Sequence, residues 1–169
     1  MRTLRFHRTR PMMFAAWIVL ALLSATLTAG EHEEIQGDIT RVQEATRSFS
    51  SLDKAVAAGY DRNGGGCVQN QPQGAMGFHH YNHSLLDAKI EVERPEILVY
   101  ERLANGEYRL NGVEYVVPFS AWPETSEAPT VMGQKLKRAR KLGIWYLHVW
   151  IWLENPSGLF ADWNPRVKC

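Results

Sequence analysis

The apolar positions change period partway along the chain. Between Glu31 and Asp61 they recur at three and four residues, at Ile35, Ile39, Val42, Ala45 and Phe49, which is the spacing of one helix face. The acidic residues at the start of this stretch suit a helix N-terminus. Ser50 or Ser51 caps a second helix from Leu52 to Gly59, with Asp53 in its first turn and Gly59 as its stop. Asp61-Arg62-Asn63-Gly64-Gly65-Gly66 then reads as an irregular turn. No Walker or dinucleotide spacing follows these glycines, so a flexible connection is the expectation. From there on the pattern is that of strands: Ala75 to Tyr81, Glu96 to Arg102, Glu107 to Val117 and Ile144 to Leu153 are rich in aromatic or branched residues and bounded by Gly, Pro or Asn. Asn105-Gly106 marks a hairpin between the second and third. Helices first and strands afterwards predict an α+β domain, with N-terminal helices packed on one face of an antiparallel sheet of about four strands.

The last of these strands has two unlike faces. Trp145, Leu147, Val149, Ile151 and Leu153 form a wholly apolar face suited to packing under the helices. The alternate positions carry Tyr146, His148, Trp150, Trp152 and Glu154, an aromatic face with one imidazole in its middle. This face reads as a pocket wall, in which Tyr146, Trp150 and Trp152 would hold a ligand. The plain alternative is a second packed layer with a hydrogen-bonded histidine.

Three of the chain's six histidines, His79, His80 and His83, fall within five positions beside Gly74 and Gly77. They do not form one metal box on a regular strand, because His79 and His83 would lie some ~13 Å apart and His80 points to the other face. A site needs one of them, His148 from the last strand, and a carboxylate set in an apolar run. Glu114 in Gly112-Val113-Glu114-Tyr115 and Glu101 after Leu98-Val99-Tyr100 are the candidates, since a buried carboxylate must be paired, protonated or metal-bound. The expected ligands are His79, His148 and Glu114, with Glu101 and His80 as second choices. Two imidazoles and a carboxylate suit zinc, iron or copper with open positions for water or ligand; without a metal the same groups form an acid and base pair. No Gly-x-Ser-x-Gly elbow supports a serine hydrolase, and the paired His-x-His of cupins is missing.

Pro118 to Gly133 holds Pro118, Pro123, Pro129 and Trp122, a connection long enough for a lid or binding loop, or for a surface excursion stiffened by proline. After it, Leu136, Ala139 and Leu142 at spacing three predict a short helix within the basic cluster Lys135 to Lys141.

Composition bears mainly on place and partners. Met1 to Arg10 carries four arginines and no acid, Met12 to Ala29 is almost wholly apolar, and Thr28-Ala29-Gly30 offers small residues for cleavage. Residues 1–30 read as a secretory signal peptide, with an uncleaved membrane anchor as the alternative. The expectation is export to the periplasm or beyond, as a single domain over residues 31–169. Without the leader, 15 basic residues face 18 acidic ones, a balance that argues against nucleic acid and leaves a metal ion or small molecule as partner. Both cysteines, Cys67 and Cys169, belong to the exported part. In an oxidising compartment they are expected to pair, closing a loop of about a hundred residues. Covalent haem is excluded, because there is no Cys-x-x-Cys-His.

The chain also resembles a family of small exported bacterial proteins of uncharacterised activity. The resemblance rests on Ala55-Val56-Ala57-Ala58-Gly59-Tyr60 before Cys67, Gly74-Ala75-Met76-Gly77-Phe78-His79, Pro95 to Glu101, Gly112-Val113-Glu114-Tyr115, Leu147-His148-Val149-Trp150, and Asn155 to Phe160 with Trp163-Asn164-Pro165 and Cys169. It implies one ordered unit over nearly all of the chain after the leader, and it carries no activity. Three readings follow: an exported protein that binds a metal or small ligand, a metal-dependent hydrolase or oxidase using the same centre, and a disulfide-stapled structural or interaction module without a site.

Overall fold

The computed structural model describes residues 15–169, with side chains from residue 30 onward. The basic start of the expected leader, within residues 1–14, therefore lies outside the described residues. Among the described residues no helix is long and apolar enough to cross a membrane.

The architecture is α+β. Helix α1 (Ala15–Thr46) is followed by a 3-10 turn at Arg47–Ser50 and the short helix α2 (Leu52–Ala57). The main sheet has six antiparallel strands, not four: β1 (Val68–Asn70), β2 (Gly74–Tyr81), β3 (Ile97–Arg102), β4 (Tyr108–Pro118), β7 (Lys137–Ala139) and β8 (Ile144–Val149), in the order β1-β2-β3-β4-β8-β7. A separate two-stranded ribbon pairs β5 (Thr130–Val131) with β6 (Gln134–Lys135). The two extra strands of the main sheet are its edges. Each is three residues long, too short for a period-two signal.

The sheet separates two environments. On one face Leu98, Tyr100, Val113, Tyr115, Trp145 and Leu147 form the main core with Val42 of α1. Val42 is buried, and Ile35, Ile39 and Phe49 are half-buried, as the helical spacing predicts. Polar contacts fix the helix in place: Gln43 donates to the Ile151 carbonyl at 2.7 Å and Trp152 Nε1 donates to Thr46 Oγ1 at 3.2 Å. The other face, on the inside of the curl, carries Ile97, Val99 and Val116 together with the ionisable residues described below.

Three expectations need correction. The basic cluster is not a helix: Lys137–Ala139 pairs with Ile144–Tyr146, and the chain turns at Gly143, which has φ +70°. Cross-strand and loop partners explain the choice, because Glu124 meets Arg140 at 2.6 Å, Lys137 meets Asp162 at 2.6 Å, and Arg138 lies 4.8 Å from the Trp145 ring centre. The proline-rich connection is no lid over the aromatic strand's polar side. Phe119, Trp122, Val131 and Met132 pack instead into or against the main core, and Trp145 Nε1 donates to the Trp122 carbonyl at 3.0 Å. The last strand ends at Val149 rather than Leu153, since Trp152 N and Leu153 N both turn to the Asn111 carbonyl at 3.0 Å.

Cys67 and Cys169 form a disulfide, tying the end of the chain to the start of β1. Its sequence separation of 102 residues makes a large loop-entropy contribution, so the double variant Cys67→Ser, Cys169→Ser should lose roughly 4–5 kcal/mol in urea unfolding. A loss under about 1 kcal/mol would mean that the unfolded chain is scarcely restrained by the bridge.

Glu96 is 1 % exposed, at the entry of β3, and accepts from Val116 N at 2.9 Å. Burial pushes its carboxyl up to about 8 against the pull of that backbone bond. A carboxyl that holds its proton more tightly folded than unfolded costs stability as pH rises, from the unfolded value near 4.5 to the folded one near 8. Glu96→Gln keeps an acceptor and should flatten the decline between about pH 5 and about pH 8.5, measured by denaturant titration. An unchanged slope would assign the decline to other groups.

Candidate metal centre

Strand register brings together groups far apart in sequence. On β4 and β8, Glu114 is the direct cross-strand partner of His148. On β3, Ile97 pairs with Glu114 while Val99 pairs with His79 of β2. His79 and Glu114 thus stand diagonally across one intervening strand on the inside of the curl. Two irregularities in pairing make this possible, one opposite β1 near Gly77 and one between Val99 and Tyr100. At Gly77 (φ +106°) a Cβ would collide with the Tyr100 carbonyl, and at Gly112 it would collide with the Val149 carbonyl. The open space expected at Gly74 and Gly77 is used by neighbouring backbone, since a Cβ at Gly74 would meet the Asn164 carbonyl.

The resulting cluster is compact and buried. His79 Nε2 lies 3.1 Å from His148 Nε2, one imidazole N–H donating to the other's lone pair, and 3.5 Å from Glu114 Oε2. Glu114 Oε1 is 3.6 Å from His148 Nδ1. One ligand atom from each residue falls within 4.8 Å of the others, the one such group among the described residues. Around a tetrahedral ion with bonds near 2.1 Å, ligand atoms are separated by roughly 3.4 Å. Two of the contacts already match that spacing.

The electrostatics are those of groups stripped of water. His79, Glu114 and His148 are 6 %, 5 % and 2 % exposed. Burial pushes Glu114 up to about 8, helped by Asp162 and Glu96 and opposed by Lys137. Burial also drives His79 down to about 4, against a backbone hydrogen bond to Gly77. His148 is held well below the ordinary imidazole range by burial, His79 and Lys137. Burial thus favours the neutral form of all three groups. His148 Nδ1 is buried without a hydrogen-bond partner among the described residues, and an orphaned buried nitrogen in a native protein calls for a reason.

Beside the cluster lies a pocket of about 230 Å³. His79, Glu114 and His148 reach it, Tyr81 and Tyr146 flank them, and Val68, Met76, Leu142 and Ile144 form apolar walls. Tyr146 stands edge-on to His148, and Trp150 lies parallel to it with ring centres 6.2 Å apart.

The remaining residues singled out in the sequence go elsewhere. His80 points to the opposite face, where it meets the Asp61 carbonyl at 2.7 Å and packs on Tyr100 and Tyr108. His83 is exposed and 2.9 Å from Asp61 Oδ2. Glu101 pairs with Arg109 and accepts from Lys168 N at 3.2 Å, so its charge is satisfied at the C-terminal tail. Trp150 sits with Ala75 and Val167 behind His148, and Trp152 is turned to α1 because β8 has already ended. Residues that sequence reasoning passed over are Val68, Met76 and Leu142. Nothing local marks them, because they reach the pocket through a bulge, an edge strand and a turn.

Compared with family models, curated proteins and solved structures, the chain finds no match.

Gly77→Ala should be far more costly than Gly106→Ala. Both glycines have positive φ, +106° and +85°, but only Gly77 has a carbonyl in the way, Gly106 facing open space. Gly106→Ala should lose about 1 kcal/mol and Gly77→Ala at least about 2 kcal/mol more by thermal or chemical unfolding. Equal losses would show that the close approach to Tyr100 is easily relaxed.

Proposed function

We propose that this chain is an exported protein that binds one transition metal ion through His79, Glu114 and His148 and presents it to a small ligand in the adjoining pocket. The observation that carries this reading is three buried ligand atoms, one from each of His79, Glu114 and His148, at ion-binding spacing. Burial of ionisable groups without full pairing is costly, and a cation among them offsets that cost. Two imidazoles and one carboxylate suit zinc, iron or copper. The disulfide supports an oxidising compartment, and the arginine-rich, apolar N-terminus supports export.

A second reading, metal-assisted hydrolysis or oxidation at the same centre, is favoured by the pocket. Three protein ligands leave a coordination position free, and a catalytic site differs from a structural one in keeping that position open. The residues His79, Glu114 and His148 would hold the ion, Tyr81 and Tyr146 would orient a ligand, and the apolar walls would exclude water.

Elemental analysis of untagged protein purified from its native compartment should find about one equivalent of metal. His79→Ala and His148→Ala should each weaken binding at least about a hundredfold, while His83→Ala and Glu101→Gln leave it unchanged. Wild type without metal, or a double variant His79→Ala, His148→Ala that binds as well as wild type, would favour the third reading, a structural module whose histidines are incidental.

A further inference from the structure

The walls of the pocket say more about its ligand than the metal cluster does. Among the described residues three large apolar side chains are exposed, and two of them, Val68 at 41 % and Leu142 at 73 %, line this one pocket. They come from opposite ends of the sheet. Val68 belongs to the edge strand β1, and Leu142 to the turn between β7, the other edge, and β8. The sheet curls until both edges border one opening, and each places an uncovered apolar side chain there. Met76 and Ile144 continue the apolar surface inward. Apolar groups gathered at one concave site favour a ligand that covers them.

Charge fixes the other end of such a ligand. Holding an ion, His79 and His148 would act as neutral imidazoles and Glu114 would give up its proton to act as a carboxylate at the inner end of the pocket. A divalent ion held there would carry an excess of one positive charge, and Lys137, a cation acting on Glu114, is already paired with Asp162 at 2.6 Å. Excess charge away from water is stabilised by a counter-ion of the opposite sign. The volume of about 230 Å³ is below that of pockets for drug-sized molecules and suits one ring or a short branched chain.

Resting on the metal reading above, we infer that the pocket takes an apolar monocarboxylate of single-ring or short-acyl size. Its carboxylate completes the coordination of the ion, and its apolar body lies between the Val68 edge and the Leu142 turn. Tyr81 and Tyr146 border the carboxylate end.

The test is calorimetric titration of Co²⁺-loaded full-length protein with benzoate, acetate and benzyl alcohol, with metal content measured on each sample. Benzoate should bind at least about tenfold tighter than acetate, from burial of its ring, and should shift the cobalt absorption bands. Benzyl alcohol should bind at least about tenfold more weakly than benzoate, because it brings no charge. In the double variant Val68→Ser, Leu142→Ser, two exposed positions, the benzoate to acetate ratio should fall at least about threefold with metal content unchanged. Equal binding of benzoate and acetate, equal binding of benzoate and benzyl alcohol, or an unchanged ratio in the double variant would overturn the inference while leaving the metal reading intact. Failure of wild type to take up cobalt would overturn both.

Discussion

The sheet can curl around its ionisable residues only where backbones approach closer than a side chain permits. Gly77 against the Tyr100 carbonyl, Gly112 against the Val149 carbonyl and Gly74 against the Asn164 carbonyl are the three places where this happens. Two of them accompany interruptions of pairing, at which one strand gains a residue and bends. A flat sheet of the same six strands would leave β1 and β7 far apart, with five strand spacings between them, roughly 24 Å. The pocket has walls from both edges. The bulges therefore underlie both the enclosure and the diagonal meeting of His79 with Glu114.

Strand alternation lets stability and chemistry share the same strands. Trp145, Leu147 and Val149 bury in the core that Val42 of α1 joins, while Tyr146 and His148 face the pocket. In β4 the same division places Val113, Tyr115 and Val117 in the core and Glu114 at the cluster. The helix face has apolar area to offset conformational entropy, and the inner face carries the opposing cost of desolvated ionisable groups. Such a cost is tolerated where local rules are broken for a functional gain, which is the physical ground for reading the inner face as a site rather than as packing.

How much of this was legible in the chain depends on the range of each signal. The helix stripe through Val42, the hairpin at Asn105-Gly106 and the two faces of Ile144 to Val149 are local patterns, and each stands where the periodicity puts it. The convergence of His79, Glu114 and His148 was also readable, because an ionisable residue within an apolar strand has few ways to be accommodated. What failed was local inference about segments whose conformation is set by distant partners. Leu136, Ala139 and Leu142 have helical spacing, yet Leu136 enters the core, Ala139 pairs with Ile144 and Leu142 reaches the pocket. Trp152 fits an alternation that continues past Val149, but the Asn111 carbonyl and Thr46 take its N–H groups and turn it away. Glu101 resembles Glu114 in sequence, and its partners distinguish them, since Arg109 across the hairpin and Lys168 N of the C-terminal tail satisfy Glu101.

That tail links the two edges of the curl. After β8 it runs past Asp162, which holds Lys137 of β7 and meets Tyr146 Oη at 3.3 Å. It then pairs Asn164 with Ala75 of β2 and ends at Cys169, bonded to Cys67 immediately before Val68. One edge is held by an ion pair and the other by a covalent bond, both from the same fifteen-residue segment, 155–169. Lys137 and Val68 are thereby fixed relative to each other by a strap that bypasses the intervening strands. The width of the pocket is set by this strap and by the glycine bulges together, so the disulfide acts on the shape of the site as well as on the entropy of the unfolded chain.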